Sequence, residues 1–351
     1  MFEIDDQTLH FIKKTCKGKK HVKLTVGYLI DNKPVIKVFN ENGELDASKK
    51  YHYEIGSITK TFTTSLLSKY VFENNLSMND SIDKYIGGLK EDEYYPTLLR
   101  LATHTSGYSG RLPLTKREYF KMVLGLISGS GDLYRNNPIH TDLNKIKAIM
   151  ENNNLKNMDY AWKYSNFGMS LIGYALGVVS GKGYWDMMND FLLDELGLKN
   201  TYLGTKNNNL HGYDRKNNDS GNWEWDRDNL ISSAGAISST AEDLLEYANV
   251  NMYEDKPYLS LCHKKHASMK KKYDMGLGWW LLKENNNVLL HGGGTGCFSS
   301  FLGIDKEKKV ASVVLSNYRL GMNDDGKIGI SLLETLQKSS DKEMADKKVI
   351  S

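Results

Sequence analysis

The sequence has few cysteines, and their positions limit what they can do. Cys16, Cys262 and Cys297 are odd in number and lie far apart in a chain of 351 residues. A disulfide framework needs an even set of cysteines, and a structural metal site needs closely spaced ligands. The sequence therefore predicts a protein of a reducing compartment that has no disulfides and no bound metal.

Long apolar runs are also missing. No stretch reaches the roughly 18 apolar residues that a membrane-spanning helix needs. The N-terminal residues, Met-Phe-Glu-Ile-Asp-Asp, show neither the basic lead nor the apolar core of a signal peptide. We expect a cytoplasmic protein with no membrane span, although a secreted protein whose signal peptide has been removed would present the same sequence.

A strong charge of either sign is absent as well. Lys and Arg number 46 against 43 Asp and Glu, which leaves a net charge of +3. This balance argues against nucleic acid or an anionic membrane surface as a partner. With 40% hydrophobic residues the chain can bury a large core, in one composite domain or two closely joined ones.

Two common enzyme motifs are missing too. No Gly-x-Ser-x-Gly elbow occurs, which argues against an α/β-hydrolase. The Gly-Lys-Gly run at 181–183 lacks the glycine spacing and the hydroxyl residue of a phosphate-binding loop. Cys262, His263 and His266 lie among lysines, so we interpret 263–272 as a solvated basic loop rather than a metal site.

The stretch at 53–75 carries the clearest chemical signal. Ser57 precedes a run in which Ile58, Phe62, Leu66 and Tyr70 recur every fourth residue, so the pattern predicts a buried helix with Ser57 at its N-terminus. Lys60 lies one turn further on. An amine beside a serine hydroxyl at the positive end of a helix can activate that hydroxyl as a nucleophile.

Ser-x-x-Lys is weak as a motif on its own. It occurs at Ser57, Ser81, Ser268 and Ser339, and only the first opens a long buried helix. A second candidate group, Lys163-Tyr164-Ser165-Asn166, lies just before a predicted helix at 167–179. A tyrosine near an ammonium can have its pKa lowered enough to relay protons, and an asparagine can bind a substrate amide.

A third candidate group is the His-Gly-Gly-Gly-Thr-Gly run at 291–296, between two predicted strands. Glycines at a strand edge allow a ligand to approach the backbone and leave N–H groups free for an oxyanion. Taken alone, the run could equally be a loose hairpin, His291 a packed histidine and Tyr164 an anchor of the helices. Their joint occurrence favours a cleft.

Periodicity predicts the main elements. Helices are expected at 5–16, 81–86, 141–152, 167–179, 184–195 and 325–338, with another surface helix after Thr240 that contains Tyr247 and Asn249. Strands are expected at 22–30, 35–39, 288–290, 298–304 and 310–315, with a hairpin turn at 31–34. The sheet should draw strands from both ends of the chain, and the helices should come from its middle.

Several of these blocks together resemble the penicillin-recognising serine hydrolases. The resemblance lies in the segments 56–60, 98–107, 164–166, 235–243, 273–280 and 291–300, which follow the family's order and spacing. The nearest branch comprises class C β-lactamases, serine DD-peptidases, D-aminopeptidases and related esterases. The resemblance implies an α/β (α+β) β-lactamase-like fold, whose antiparallel sheet is flanked by the N- and C-terminal helices. Residues 1–75 and 201–351 would form the α/β lobe, residues 76–200 an inserted α-helical lobe, and the active site would lie between them.

The resemblance also assigns roles. It implies Ser57 as the acylated nucleophile and Lys60 with Tyr164 as the proton-transfer pair. It implies substrate binding by Asn166, His291, Gly293 and Gly294, with the oxyanion bound by the backbone N–H groups of Ser57 and Gly294. The segment 104–107 is interpreted as a structural turn. No cofactor is implied, and the partner would be a small molecule or short peptide.

The expected function is hydrolysis of an ester or amide, including a D-amino-acid peptide or a β-lactam, through an acyl-enzyme. The alternative is a penicillin-binding or sensor-like module that acylates without turnover. His291 and Gly292 stand where β-lactamases have a lysine and a hydroxyl residue, so we expect neutral esters or D-amino-acid amides to be preferred, with His291 favouring anions below about pH 6.5. The loops 108–140 and 204–230 carry no signature that we can interpret, although Tyr213, Arg215, Trp223 and Trp225 could line the cleft.

Overall fold

One nine-stranded antiparallel sheet organises the molecule. The structure is a computed structural model that describes residues 2–30, 32–108, 120, 123, 124, 137, 140–270, 272–320 and 324–350. The first strand of this sheet in the chain, Leu24–Ile30, pairs inside it with the last, Val310–Ser316. The expected fold class, with strands from both chain ends, is confirmed. Most of the loop 108–140, and Asp31 in the expected hairpin turn, lie outside the described residues.

The strands of the described residues form one large sheet and two small ones. The large sheet contains β1 (Leu24–Ile30), β2 (Lys33–Asn40), β3 (Gly43–Leu45), β9 (Ala267–Lys270), β10 (Tyr273–Met275), β11 (Trp280–Leu282), β12 (Asn285–Gly294), β13 (Ser299–Asp305) and β14 (Val310–Ser316). Their order across the sheet is β3-β2-β1-β14-β13-β12-β11-β10-β9. A second sheet pairs β4 (Tyr53–Glu54) and β5 (Tyr202–Leu203) with β8 (Ile237–Ser239), and β6 (Gly212–Tyr213) pairs with β7 (Asp219–Gly221). Both β13 and β14 are buried along their whole length, as expected for strands covered on both faces.

Two hydrophobic cores cover the two faces of the large sheet. One contains Ile12 of the N-terminal helix Asp6–Cys16 and Leu332 of the C-terminal helix Asp324–Ile350. The other contains Phe62, Leu171 and Leu244 from helices in the middle of the chain. The sheet is therefore a layer between the terminal helices and the remaining helices.

The helices follow the sequence pattern in most places. Besides the two terminal helices they are Thr59–Phe72, Leu98–Ala102, Leu143–Glu151, Asn166–Ser180, Tyr184–Asp190, Ala241–Tyr253 and Leu259–Cys262. The segment expected at 81–86 is only a short 3₁₀ turn, Ile82–Lys84, and the one expected at 184–195 ends in a π-helical turn, Phe191–Glu195. None of the described helices is both long and apolar enough to cross a membrane.

Two expectations from the sequence are wrong. Residues 267–270 form β9, an edge strand of the large sheet, rather than part of a solvated loop. The helix Ala241–Tyr253 is not a surface helix, because Tyr247 is fully buried and its ring stacks on Phe62 at 3.8 Å between centroids.

The helix Thr59–Phe72 is buried far more completely than its apolar ridge predicts. Besides Phe62, the hydroxyl residues Thr63 and Thr64 are also fully buried. Their side chains donate to backbone carbonyls, Thr63 to Ser233 at 2.7 Å and Thr64 to Leu277 at 2.8 Å. Because buried hydroxyls need such partners, the helix is anchored to its surroundings on several sides.

The division of the chain into an α/β lobe and an inserted α-helical lobe, with boundaries at residues 75 and 200, stays a prediction.

Candidate active site

Ser57 lies at the start of the central helix. A 3₁₀ turn, Gly56–Ile58, leads directly into the helix Thr59–Phe72, and Ser57 is the one partly exposed residue of that turn. The Lys60 Nζ atom lies 3.1 Å from the Ser57 Oγ atom, and the Tyr164 Oη atom lies 2.6 Å from the same Oγ atom. The structure thus brings together the serine, amine and phenol that the sequence predicted.

Lys60 is fully buried, with its Nζ atom donating to the Ala234 carbonyl at 2.6 Å. Burial penalises the ammonium form and lowers the pKa of Lys60 well below its usual range. Ala234 ends the 3₁₀ helix Leu230–Ala234, just before β8, so this part of the chain orients the amine. A neutral amine can donate to that carbonyl and still accept a proton from Ser57.

Tyr164 does not have the lowered pKa that the sequence suggested. Desolvation raises the pKa of Tyr164 above its usual range, and only weaker effects of Ser57 and Arg319 lower it. The Lys60 Nζ atom lies over the Tyr164 ring, 4.9 Å from its centroid. Burial therefore favours an amine and a phenol over an ammonium and a phenolate in this pair.

Glycines allow β12 to approach the serine turn. A methyl group at Gly293 would collide with the Ile55 carbonyl and lie 2.9 Å from the Ser57 backbone nitrogen. Gly56 has φ +50°, and a methyl group there would collide with the backbone of Gly294. Since only glycine fits at these positions, the backbone of β12 lies directly beside the N–H group of Ser57.

His291 is fully buried and is not a cationic group. Burial, followed by the nearby Lys60, lowers the pKa of His291 to about 3. Its Nδ1–H donates to the Gly292 carbonyl at 2.8 Å, and its ring stacks on Trp280. The expectation that His291 becomes protonated below about pH 6.5 is therefore corrected, because the buried ring stays neutral there. The Nε2 atom consequently carries a lone pair and can only accept a hydrogen bond.

Several buried polar atoms beside Tyr164 and on β12 have no hydrogen-bond partner among the described residues. They include the Oδ1 atom of Asn166 and the Nε2 atoms of His291 and His104. Asn166 is the first residue of the helix Asn166–Ser180, directly after Ser165, which caps that helix. Buried polar atoms are normally paired, so these atoms mark positions where a polar substrate could bind.

Two functional candidates are not indicated by the sequence pattern. Arg319 follows β14 and donates from Nη1 to the Thr295 carbonyl at 2.8 Å, with its guanidinium against Gly294. Its positive charge lowers the pKa of Tyr164, which places it near the catalytic groups. His104 was interpreted as part of a structural turn, yet its ring lies 4.9 Å from the Tyr164 ring. Arg319 could have been recognised as a candidate only from a known sheet order, because its place near Gly294 depends on the pairing of β13 with β14.

Glu54 and Trp225 also adjoin the serine turn. Burial raises the pKa of Glu54 to about 7, and its Oε1 atom accepts the Trp223 backbone N–H at 2.9 Å. The Trp225 ring lies against Gly235, 3.5 Å from the position that a methyl group there would take. Of the loop residues expected at the cleft, Trp225 is thus close to Gly235 and Gly56.

Other candidates have partners elsewhere. Tyr213 stacks on His21 and Tyr318 beside the core that contains Ile12 and Leu332, and Arg215 is exposed. His263 lies 2.9 Å from Glu254 and 3.1 Å from Asn251 through its two ring nitrogens, while the Cys262 thiol faces the Thr64 carbonyl. Among the described residues, no group of three or more metal-binding side chains is close enough to hold an ion.

The fold and this site together define a class of protein. A partly exposed serine at a helix N-terminus, next to a buried lysine, a tyrosine and a glycine-rich strand, is the arrangement of the penicillin-recognising proteins. The Beta-lactamase family profile matches residues 21–337, which is most of the chain. The chain belongs to this family, so the resemblance recognised from its motifs is confirmed.

Relatives and solved structures agree with this family. A β-lactamase of Providencia stuartii is 25% identical over 258 residues, which is 71% of this chain and 59% of the relative. A class C β-lactamase structure superposes with a TM-score of 0.74 at 21% identity, covering 95% of this chain and 98% of its own. A β-lactamase/D-alanine carboxypeptidase from Pseudomonas syringae superposes with a TM-score of 0.75 at 16% identity, covering 94% of this chain and 98% of its own. This chain thus spans well under two thirds of the Providencia protein, while the structural likeness covers nearly the whole fold.

Proposed function

We propose that the protein is a serine hydrolase that cleaves an ester or amide through a covalent acyl-enzyme on Ser57. The observation that carries this proposal is the convergence of Lys60 Nζ and Tyr164 Oη on Ser57 Oγ, at 3.1 and 2.6 Å. A serine hydroxyl becomes a useful nucleophile when a base within hydrogen-bonding distance takes its proton.

The protonation states suit Lys60 as that base. Its neutral amine takes the Ser57 proton as Oγ attacks the substrate carbonyl carbon, which becomes tetrahedral. The Tyr164 phenol then gives its proton to the departing alcohol or amine and regains one from the Lys60 ammonium. Water reverses the sequence, attacking the acyl-enzyme and releasing the acid while Ser57 recovers its proton. Both steps are general acid–base catalysis by groups in direct contact.

The oxyanion would be bound by backbone N–H groups. Ser57 and Gly294 supply them, because β12 lies against the serine turn at Gly56 and Gly293. Fixed N–H donors aimed at the developing negative charge commonly contribute 10²–10³ in rate. The same glycines leave room for a substrate carbonyl between the turn and the strand.

Substrate binding is assigned to β12 and Asn166. The pairing of β12 with β11 ends at Leu290 and Trp280, whereas its pairing with β13 continues to Gly294. Residues 291–294 thus have an edge with no strand partner among the described residues, which an extended substrate could join. Asn166 Oδ1 and His291 Nε2 would accept hydrogen bonds from substrate N–H groups. These contacts support an amide or a D-amino-acid peptide, and also a β-lactam, as substrate.

The alternative is a penicillin-binding or sensor-like module that acylates without turnover. The presence of Lys60 and Tyr164 in contact with Ser57 favours the hydrolase, because both are needed to activate the deacylating water. A burst assay with a chromogenic ester tests the choice. We expect a burst followed by steady turnover, whereas a stoichiometric burst with no steady state would favour the binder.

A further inference from the structure

His104 lies in an unusual backbone conformation beside the active site. It is 1% exposed and has φ +60°, the left-handed region that residues other than glycine adopt uncommonly, although histidine does so more often than most. Its turn follows the short helix Leu98–Ala102 and runs beside the segment that carries Tyr164. The first backbone hydrogen bond between this turn and that segment runs from the Tyr160 N–H to the Thr105 carbonyl, at 3.1 Å.

His104 then contacts both chain neighbours of Tyr164. Its backbone carbonyl accepts the Lys163 N–H at 2.9 Å, and its imidazole Nδ1 atom accepts the Ser165 N–H at 3.3 Å. One residue therefore fixes the backbone on either side of Tyr164. Ser165 in turn caps the helix Asn166–Ser180, because its Oγ atom accepts the Gly168 N–H at 2.9 Å.

The imidazole can do this only in one protonation state. An Nδ1 atom that accepts a backbone N–H must carry a lone pair, so the ring is neutral and its proton lies on Nε2. Burial, which penalises the charged ring, lowers the pKa of His104 well below its usual range. The direction of this shift and the hydrogen bond from the Ser165 N–H both favour the neutral ring that supplies the acceptor.

We propose that His104 is a positioning residue for Tyr164. Its Nδ1 atom holds the Ser165 N–H and so sets the position from which the Tyr164 Oη atom reaches the Ser57 Oγ atom at 2.6 Å. The ring of His104, packed at 4.9 Å between centroids, limits rotation of the Tyr164 side chain. The inference rests on the proposed function, because its readout is the reactivity of Ser57.

Two substitutions separate the imidazole acceptor from the backbone conformation. Both His104→Asn and His104→Gly tolerate a positive φ. The Asn Oδ1 atom occupies nearly the place of Nδ1 and accepts the same N–H, whereas glycine offers no acceptor. His263→Asn is the matched control, since His263 is also buried and doubly hydrogen-bonded but contacts Glu254 and Asn251 instead. For each variant, the acylation rate of Ser57 by a fluorophosphonate, kcat and KM for a chromogenic ester, and Tm are measured.

We expect His104→Asn to acylate within threefold of the wild type and His104→Gly to acylate at least tenfold more slowly, with the loss in kcat rather than KM. His263→Asn should lower Tm without changing acylation. Equal rates in the glycine variant and the wild type, or equal losses in the glycine and asparagine variants, would overturn the positioning role. If the glycine variant does not fold, the asparagine variant decides alone: a wild-type rate supports the role, and a tenfold loss refutes it. A wild-type protein that is never labelled at Ser57 refutes the proposed function instead.

Discussion

The Tyr164 Oη atom donates a hydrogen bond of 2.6 Å to the Ser57 Oγ atom across a separation of 107 residues. Each partner stands just before a helix: Ser57 before Thr59–Phe72, and Tyr164 before Asn166–Ser180. The N-termini of two helices therefore meet at one hydroxyl group. Because the positive ends of both helix dipoles favour negative charge, this placement would help a serine alkoxide and a substrate oxyanion to form.

Removal of the nucleophile gives the first prediction. Ser57→Ala should fold normally and lose at least a thousandfold in kcat, since binding and the oxyanion site cannot replace an acyl intermediate. Ser81→Ala is the matched control, because Ser81 also begins a Ser-x-x-Lys motif but is half-buried before a short 3₁₀ turn, where it bonds to Asp83 and the Tyr95 carbonyl. Activity is measured with a chromogenic ester, and the fluorophosphonate label is mapped by peptide mass. A label on another serine, or unchanged activity in Ser57→Ala, would contradict the assignment.

Lys60 and Tyr164 should behave as one catalytic unit. Both contact the same oxygen atom and handle the same proton, so Lys60→Met and Tyr164→Phe should each cost nearly as much as the double substitution. The measurement is kcat/KM for the two single variants and the double variant. Losses that simply multiply would show that Tyr164 acts in packing rather than in proton transfer.

The pH dependence should follow Lys60 and not His291. Since acylation needs the neutral amine, kcat/KM on a neutral ester should rise with pH and reach its plateau well below the usual lysine pKa of 10.5. His291, with a pKa of about 3, should add no step between pH 5.5 and 9. His291→Asn keeps a donor to the Gly292 carbonyl and should leave the midpoint in place. A step near pH 6.5 that this variant abolishes would mean that His291 titrates in the working range.

Local patterns predicted the parts of the site that lie on one element. Ser57 and Lys60 are one helical turn apart, so their contact needs only a helix at that point, and the apolar spacing of Phe62 and Leu66 supplies it. The glycines of β12 also carried their own signal, because residues without side chains at a strand end indicate a close approach. The contact of Tyr164 with Ser57 came from the resemblance to a family and not from periodicity.

The remaining features depend on tertiary contacts that no local pattern records. The pKa of Lys60 falls because the surrounding core excludes water, and the pKa of His291 falls for the same reason. Arg319 comes near Gly294 only because β14 pairs with β13, which in turn pairs with β12. The short strands β9, β10 and β11 were missed since their few residues carry no clear alternation.

Glu54 should link stability to pH. Its pKa rises from 4.5 to about 7 on burial, so the folded protein holds this proton more tightly than the unfolded chain. The contribution of this proton to the free energy of unfolding is fully present below pH 4.5 and is lost as the pH rises through 7. It amounts to roughly 3 kcal/mol at most. Glu54→Gln should therefore be more stable than the wild type at pH 8 and similar to it at pH 4.5, as measured by urea unfolding. Exposed Glu224→Gln is the control. Parallel pH profiles for the wild type and Glu54→Gln would contradict the prediction.

Arg319 should determine how well the enzyme accepts anionic substrates. The buried, neutral His291 and the bare Gly292 offer no cation or hydroxyl on β12, so neutral esters and D-amino-acid amides should be the better substrates. The guanidinium of Arg319, against Gly294 and bonded to Thr295, is the charge nearest that strand among the groups identified at the site. A charge-assisted hydrogen bond contributes about 1.5–3 kcal/mol, so Arg319→Gln should lower kcat/KM for a carboxylate-bearing ester or cephalosporin by roughly ten- to a hundredfold.

The matched measurement uses a neutral ester of the same leaving group, which Arg319→Gln should hydrolyse within threefold of the wild type. Arg215→Gln removes an exposed arginine from the loop 204–230 and should leave kcat/KM unchanged for both esters. On the anionic ester, high salt should only modestly reduce the difference in kcat/KM between the wild type and Arg319→Gln. The reason is that a partly buried ion pair between Arg319 and the substrate carboxylate is screened less than an exposed one. An equal loss on both esters would mean that Arg319 supports the strand rather than the substrate. Efficient cephalosporin turnover that survives Arg319→Gln would place the anion contact elsewhere and remove the reason to expect a preference for neutral substrates.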